Sequence, residues 1–211
     1  LLTDDLTERW PLADVQLWVS GRRLTPKQVK LPAKAARPIP IGGFEHENVR
    51  SAAHGLSLNW PVAGDVIKGQ DFDTWIRRSL NDEVILNNLN KAAGTAQAIQ
   101  SSPKADDARL VAKVVMALDA SGPVRHKGFA SHIDGIGPTL AVVFQDDILR
   151  KQVEDLITSG ILKQWLALQG RVKTELMNTY GILEKIQTMV ALPGPGFGIE
   201  RCLYELNPYG H

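Results

Sequence analysis

The sequence has almost no cysteine, with Cys202 alone among 211 residues. A single thiol excludes an internal disulfide and any site built from several cysteines, and it agrees with a reducing compartment. An excess of charge of either sign is also missing. Lys and Arg number 24 against 23 Asp and Glu, a formal net charge of +1. No global field therefore draws the chain to a nucleic acid, a membrane surface or an acidic substrate, and any such partner has to be held by a local patch. Long apolar runs are absent. The run Thr139 to Phe144 falls far short of the roughly 18 to 20 residues that a membrane-spanning helix needs. Asp4, Asp5 and Glu8 stand where a secretory signal would carry a basic and then an apolar region. These absences lead to the expectation of a cytoplasmic protein without membrane insertion. There is no repeat at a solenoid period and no low-complexity tract.

What is present is ordinary for a globular protein: 44% hydrophobic and 22% charged residues, enough for one large domain or two small ones. The start at Leu1 and the end at Asn207-Pro208-Tyr209-Gly210-His211 suggest a piece of a longer protein. Residues 13–31 alternate loosely through Val15, Leu17 and Val19, then Leu24, Val29 and Leu31 after Gly21, which predicts a strand pair. Pro32, Pro38, Pro40 and Gly42-Gly43 predict an extended linker or arm. Residues 72–100 carry apolar side chains at helical spacing, with Gly94 as the weak point. Leu110 to Leu118 is rich in β-branched residues and, like Thr139 to Phe144, reads as a buried strand. Residues 147–190 read as helices interrupted at Gly160, Gly170 and Gly181. The expected fold is α+β. A β-rich segment with a basic arm spans 1–43, and an α+β core with C-terminal helices spans 44–211. A small sheet of residues 110–118 and 139–145 packs on the helices.

The polar stretch Asp119 to Pro138, about twenty residues long, is unusually extended for a structureless connection and so is the first place to look for function. It holds His126, His132 and Asp134. Imidazole and carboxylate are a suitable ligand set for zinc or for a metal-assisted hydrolase or transferase, and Ser131 beside His132 offers a nucleophile. His46 and His54, with Glu45 and Glu47 nearby, form a second group eight residues apart, which is not the spacing of a named metal signature. For each group the plainer alternative is a surface or hydrogen-bonded histidine. Cys202 reads as a buried structural thiol.

The pattern Ile133-Asp134-Gly135-Ile136-Gly137-Pro138-Thr139-Leu140-Ala141-Val142-Val143-Phe144 resembles the helix-hairpin-helix signature of DNA-binding and repair proteins. That resemblance implies that Gly135 and Gly137 approach a phosphate and that a helix starts behind them with free amides. The continuous apolar run after Pro138 departs from the signature and suits a turn followed by a strand. Arg22, Arg23, Lys27, Lys30, Lys34 and Arg37 lie in the acid-free segment 22–37, which suits either a phosphate backbone or a solvated arm. Ser20 with Thr25-Pro26, and Leu140 to Asp147, loosely resemble two stretches near the N-terminus of large type VI secretion toxins of the VasX type. The glycine-containing turn expected there after the second aspartate is absent, and no family is assigned.

Three functions are therefore in view. The first is a non-enzymatic interaction module that binds another protein or the rest of a longer chain. The second is the metal-assisted enzyme of His126, His132 and Asp134. The third is nucleic-acid binding through 133–144 and the basic arm.

Overall fold

A computed structural model describes residues 10–25, 33–169, 174–190, 192 and 198–207. The chain divides into two compact units, the first ending at Ala33 and the second starting at Lys34. This division lies ahead of the expected one at Gly43.

In the first unit, Leu12–Val19 forms helix α1, not a strand. The loose alternation of Val15, Leu17 and Val19 also fits a short helix, and the β-rich N-terminal part is thereby corrected. Its indole pair Trp10 and Trp18 meets edge to face, with centroids 6.3 Å apart. Residues 26–32 of the expected second strand lie outside the described residues, as do Lys27 and Lys30.

The second unit is mostly helical. It opens with a hairpin of β1 (Ile39–Ile41) and β2 (Phe44–His46), antiparallel with Ile41 opposite Phe44. Gly42 and Gly43 form its turn with φ of 61° and 84°, the doubly positive geometry that glycine supplies at little cost. Part of the predicted linker is thus a built strand pair. Residues 34–37 are also tied down. The Ala35 amide donates to Glu47 at 2.6 Å, Ala36 donates to Ser79 at 2.8 Å, and the Trp75 indole donates to the Arg37 carbonyl at 3.0 Å.

Helices follow in sequence. Asn48 caps α2 (Val49–Leu58) by accepting from the Ser51 amide at 3.0 Å. Pro61 sits in the first turn of α3 (Trp60–Lys68), where its missing N–H costs nothing. The stretch 72–100, read as helical, is built of α4 (Gln70–Thr74), a π-helical turn Trp75–Leu80, α5 (Glu83–Ala93) and α6 (Ala96–Gln100). Asp82 caps α5, and Gly94, at φ 92°, breaks α5 from α6.

The main departure from expectation is α7 (Asp107–Leu118), a helix where a strand was predicted. Its apolar residues serve two cores. Leu110, Val111, Val114, Val115, Ala117 and Leu118 pack with residues from β1 to α6. Ala112 and Met116 pack with the C-terminal part of the chain. A helix buried on nearly every side loses its amphipathic period, so its composition imitates an interior strand.

Beyond α7 come the antiparallel hairpin of β3 (Val124–His126) and β4 (Phe129–Ser131), a 3₁₀ turn at Ile133–Gly135, and α8 (Ile136–Val143). The second predicted strand is therefore also a helix. Pro138 stands in its first turn, where it is tolerated. The sheet expected from 110–118 and 139–145 does not form; the β-structure among the described residues is two separate hairpins. Asp146 caps α9 (Asp147–Thr158), and Gly160, at φ 76°, turns the chain into α10 (Ile161–Leu168). Helix α11 (Thr174–Val190) runs unbroken through Gly181, while α12 (Ile199–Leu206) had no counterpart in the sequence reading. Gly170 and Pro193 lie outside the described residues. No described helix is long and apolar enough to cross a membrane.

Candidate functional site

The polar stretch after α7 is folded around the β3–β4 hairpin. Strand alternation sends Val124 and His126 inward with Phe129 and Ser131, and sets Arg125 opposite Ala130 on the other face. Lys127 and Gly128 make the turn, and Lys127 takes a positive φ of 53°, which a β-carbon disfavours by roughly 1 kcal/mol.

His126 is 2% exposed. Its Nε2 lies 2.9 Å from Asp155 Oδ2 on α9, and Lys127 Nζ donates to the same oxygen at 2.6 Å. One carboxylate thus pins both the inward and the turn residue of the hairpin to α9. Burial pushes the His126 imidazole below its ordinary value, outweighing the attraction of Asp155; the neighbouring Lys127 and Arg109 charges act in the same downward direction. Burial alone would raise Asp155, but the hydrogen bonds from His126 and Lys127 win and hold its carboxyl below the usual range. The ring is therefore neutral near pH 7 and donates from Nε2, while Nδ1 is buried with no hydrogen-bond partner among the described residues.

His132 and Asp134 are exposed on the segment leading into α8. Among the described residues no three His, Cys, Asp or Glu side chains gather as a metal-ligand set. His126, His132 and Asp134 are not brought together in this structure; Asp155 takes His126 instead. Ser131 donates to the His132 carbonyl at 2.9 Å and lies 3.4 Å from Thr139 Oγ1, so no base touches its hydroxyl. His46 Nε2 lies 3.4 Å from the Ile41 carbonyl and its ring packs where Gly55 lacks a side chain.

The glycines of the helix-hairpin-helix resemblance have other work. A helix does follow them, but a β-hairpin precedes them where the signature has a helix. A β-carbon on Gly137 would lie 2.7 Å from Leu206 Cβ and closer still to its carbonyl oxygen; on Gly135 it would lie 2.9 Å from Ser131 Oγ. Both glycines admit neighbouring parts of this chain, Leu206 of α12 at Gly137 and Ser131 at Gly135. Of the basic arm, Arg22 and Arg23 are exposed in the first unit, and Lys34 is paired with Glu47 at 2.6 Å. Cys202 is fully buried, and burial pushes its thiol up to about 12. It is no nucleophile at neutral pH.

The outward face of the hairpin is more open. Together with the corner between α2 and α3 it forms a cleft of 270 Å³. Its floor is apolar, with Leu58, Trp60 and Phe129, and its basic residues are Arg125, Lys127 and His54; no acidic residue is among the described residues that line it. Leu58 is 68% exposed, and Val62, also exposed, lies four residues on, across the corner in α3. A second hollow beside the π-helical turn, lined by Phe72, Ile76 and Leu89, measures only 20 Å³, room for about one water molecule. Of the residues lining this cleft the sequence singles out His54 alone, in its group with His46; Arg125 and Lys127 carry no local signal, because Leu58 and Arg125 are far apart along the chain.

Compared with protein-family models, curated proteins and solved structures, the chain finds no significant match.

Proposed function

We propose that this chain is a non-enzymatic interaction module of a larger protein, with its contact surface at the α2–α3 corner and the outward face of the β3–β4 hairpin. The observation that carries this reading is the cleft itself, where exposed Leu58 and an aromatic floor meet Arg125 and Lys127. Apolar anchors beside Arg and aromatic side chains are the composition of binding hot spots. An exposed leucine costs little by itself; its position on the edge of a concave, cation-lined surface is what supports the reading.

The test is site-specific photo-crosslinking in the cell that makes the protein. A photoreactive residue replacing Leu58 should give a discrete adduct that disappears when Val62→Asp is added, whereas the same group at Lys91 should give none. Equal labelling from both positions, or an adduct indifferent to Val62→Asp, would sink the reading.

One observation favours a second reading. The His126–Asp155 hydrogen bond is the kind of contact that orients a catalytic or ligating histidine; a metal-assisted hydrolase or transferase using His126, His132 and Asp134 would have to draw the latter two toward His126, since they stand apart in this structure. Protein purified without a histidine tag should then hold close to one equivalent of zinc, lost in His132→Ala. Metal content well below one equivalent and unchanged by that substitution ends this reading.

A further inference from the structure

We infer that the cleft takes an acidic segment of a protein partner, one carboxylate seated on Arg125 and a neighbouring apolar side chain resting on Leu58 and Trp60. The inference rests on the interaction reading above and names the chemistry of its partner.

Arg125 is the decisive residue. It is half-buried in the lining of the cleft, and no ion pair joins it to any described residue. No acidic residue is among those that line the cleft with it. The cross-strand neighbour is Ala130, too short to cover or to bond the guanidinium. Lys127 differs, because Asp155 already holds its ammonium at 2.6 Å. It contributes positive potential to the cleft, as His54 can when protonated, while Arg125 remains free to bind. The planar guanidinium fork matches a carboxylate with two parallel hydrogen bonds, and the apolar floor strengthens those bonds by excluding water.

Size and charge select the class of partner. At 270 Å³ the cleft falls just below the roughly 300 to 1,000 Å³ of small-molecule and cofactor sites, a fit for a few side chains of a segment. A polynucleotide needs a track of cations and stacking platforms. Here Lys127, one of two cations, is already paired, and Phe129 is 3% exposed, which leaves Trp60 as the accessible ring.

The experiment uses the full chain against an immobilised array of octapeptides, each with one glutamate and one leucine or phenylalanine at varied spacing. A twin array carries glutamine in place of glutamate, and oligothymidylate is the nucleic-acid probe. The expected result is that the best acidic peptides bind at least about tenfold more tightly than their glutamine twins. Arg125→Gln should abolish that preference. So should Ala130→Glu, which places a carboxylate opposite Arg125 on an exposed position and leaves the fold intact by thermal melting. Equal binding of both arrays, weakened by Leu58→Ser, would overturn the acidic partner and leave the interaction surface standing. Failure of every peptide, or preference for oligothymidylate, would overturn the inference outright.

Discussion

His126 is a neutral ring enclosed by protein, held by Asp155 on one nitrogen and with no hydrogen-bond partner among the described residues on the other. Its depressed affinity for protons has a direct consequence for stability. Below the ordinary value of 6.5 the unfolded chain protonates this residue while the folded chain does not, so stability is fully present above that pH and declines as pH falls through it. The melting temperature should therefore drop between about pH 7.5 and 5.5 in the wild-type protein, and drop less in His126→Gln. An unchanged pH slope in the variant would show that His126 is not the residue responsible. Asp155, whose carboxyl is held low, adds a loss only in more acidic solution. Lys127 supplies a second residue-scale test. Both Lys127→Gly and Lys127→Ala lose the ion pair with Asp155, but only glycine accepts φ 53° without strain. Chemical denaturation should find the glycine variant more stable by about 1 kcal/mol.

Among the elements, α8 and α12 show how a motif can be borrowed for packing. Gly137 stands where α12 presses the Leu206 carbonyl against α8. Backbone cannot swing aside as a long side chain can, so Gly137→Ala should cost about 1 to 3 kcal/mol by equilibrium unfolding. Were Gly137 instead exposed for an anion, alanine would be neutral for stability and harmful to binding alone. The β3–β4 hairpin depends likewise on a contact remote in sequence, since Asp155 lies on α9.

At the scale of the molecule, α7 is common to two hydrophobic clusters, one toward the N-terminal side of the second unit and one toward the C-terminal side. Trp75 lies in the first cluster and Trp165 in the second. Met116, 1% exposed on α7, should cost about 2 to 4 kcal/mol when truncated to alanine. Because α7 belongs to both clusters, fluorescence from Trp75 and from Trp165, each measured with the other tryptophans replaced by phenylalanine, should shift to the same new denaturant midpoint. Separate midpoints would mean that the clusters unfold independently.

Local chemistry made some elements legible from the residues alone. Gly94 and Gly160 marked breaks in the helical stretches, and both take a positive φ in the structure. Absence was legible too: the single cysteine and the short apolar runs left no disulfide framework within the chain and no span among the described helices. Leu110 to Leu118 and Thr139 to Phe144 were misread because a helix enclosed by protein, or one made almost wholly of apolar residues, shows no polar face, and periodicity is then silent. The partner of His126 and the company of Arg125 were out of reach for a different reason. Asp155, Leu58 and Trp60 come from elements widely separated along the chain, and only the packing of α2, α3 and α9 around one short hairpin brings them to it. Sequence determined which segments were able to be helical and which had to turn; tertiary structure alone decided which side chains share a site, because that depends on contacts no local spacing records.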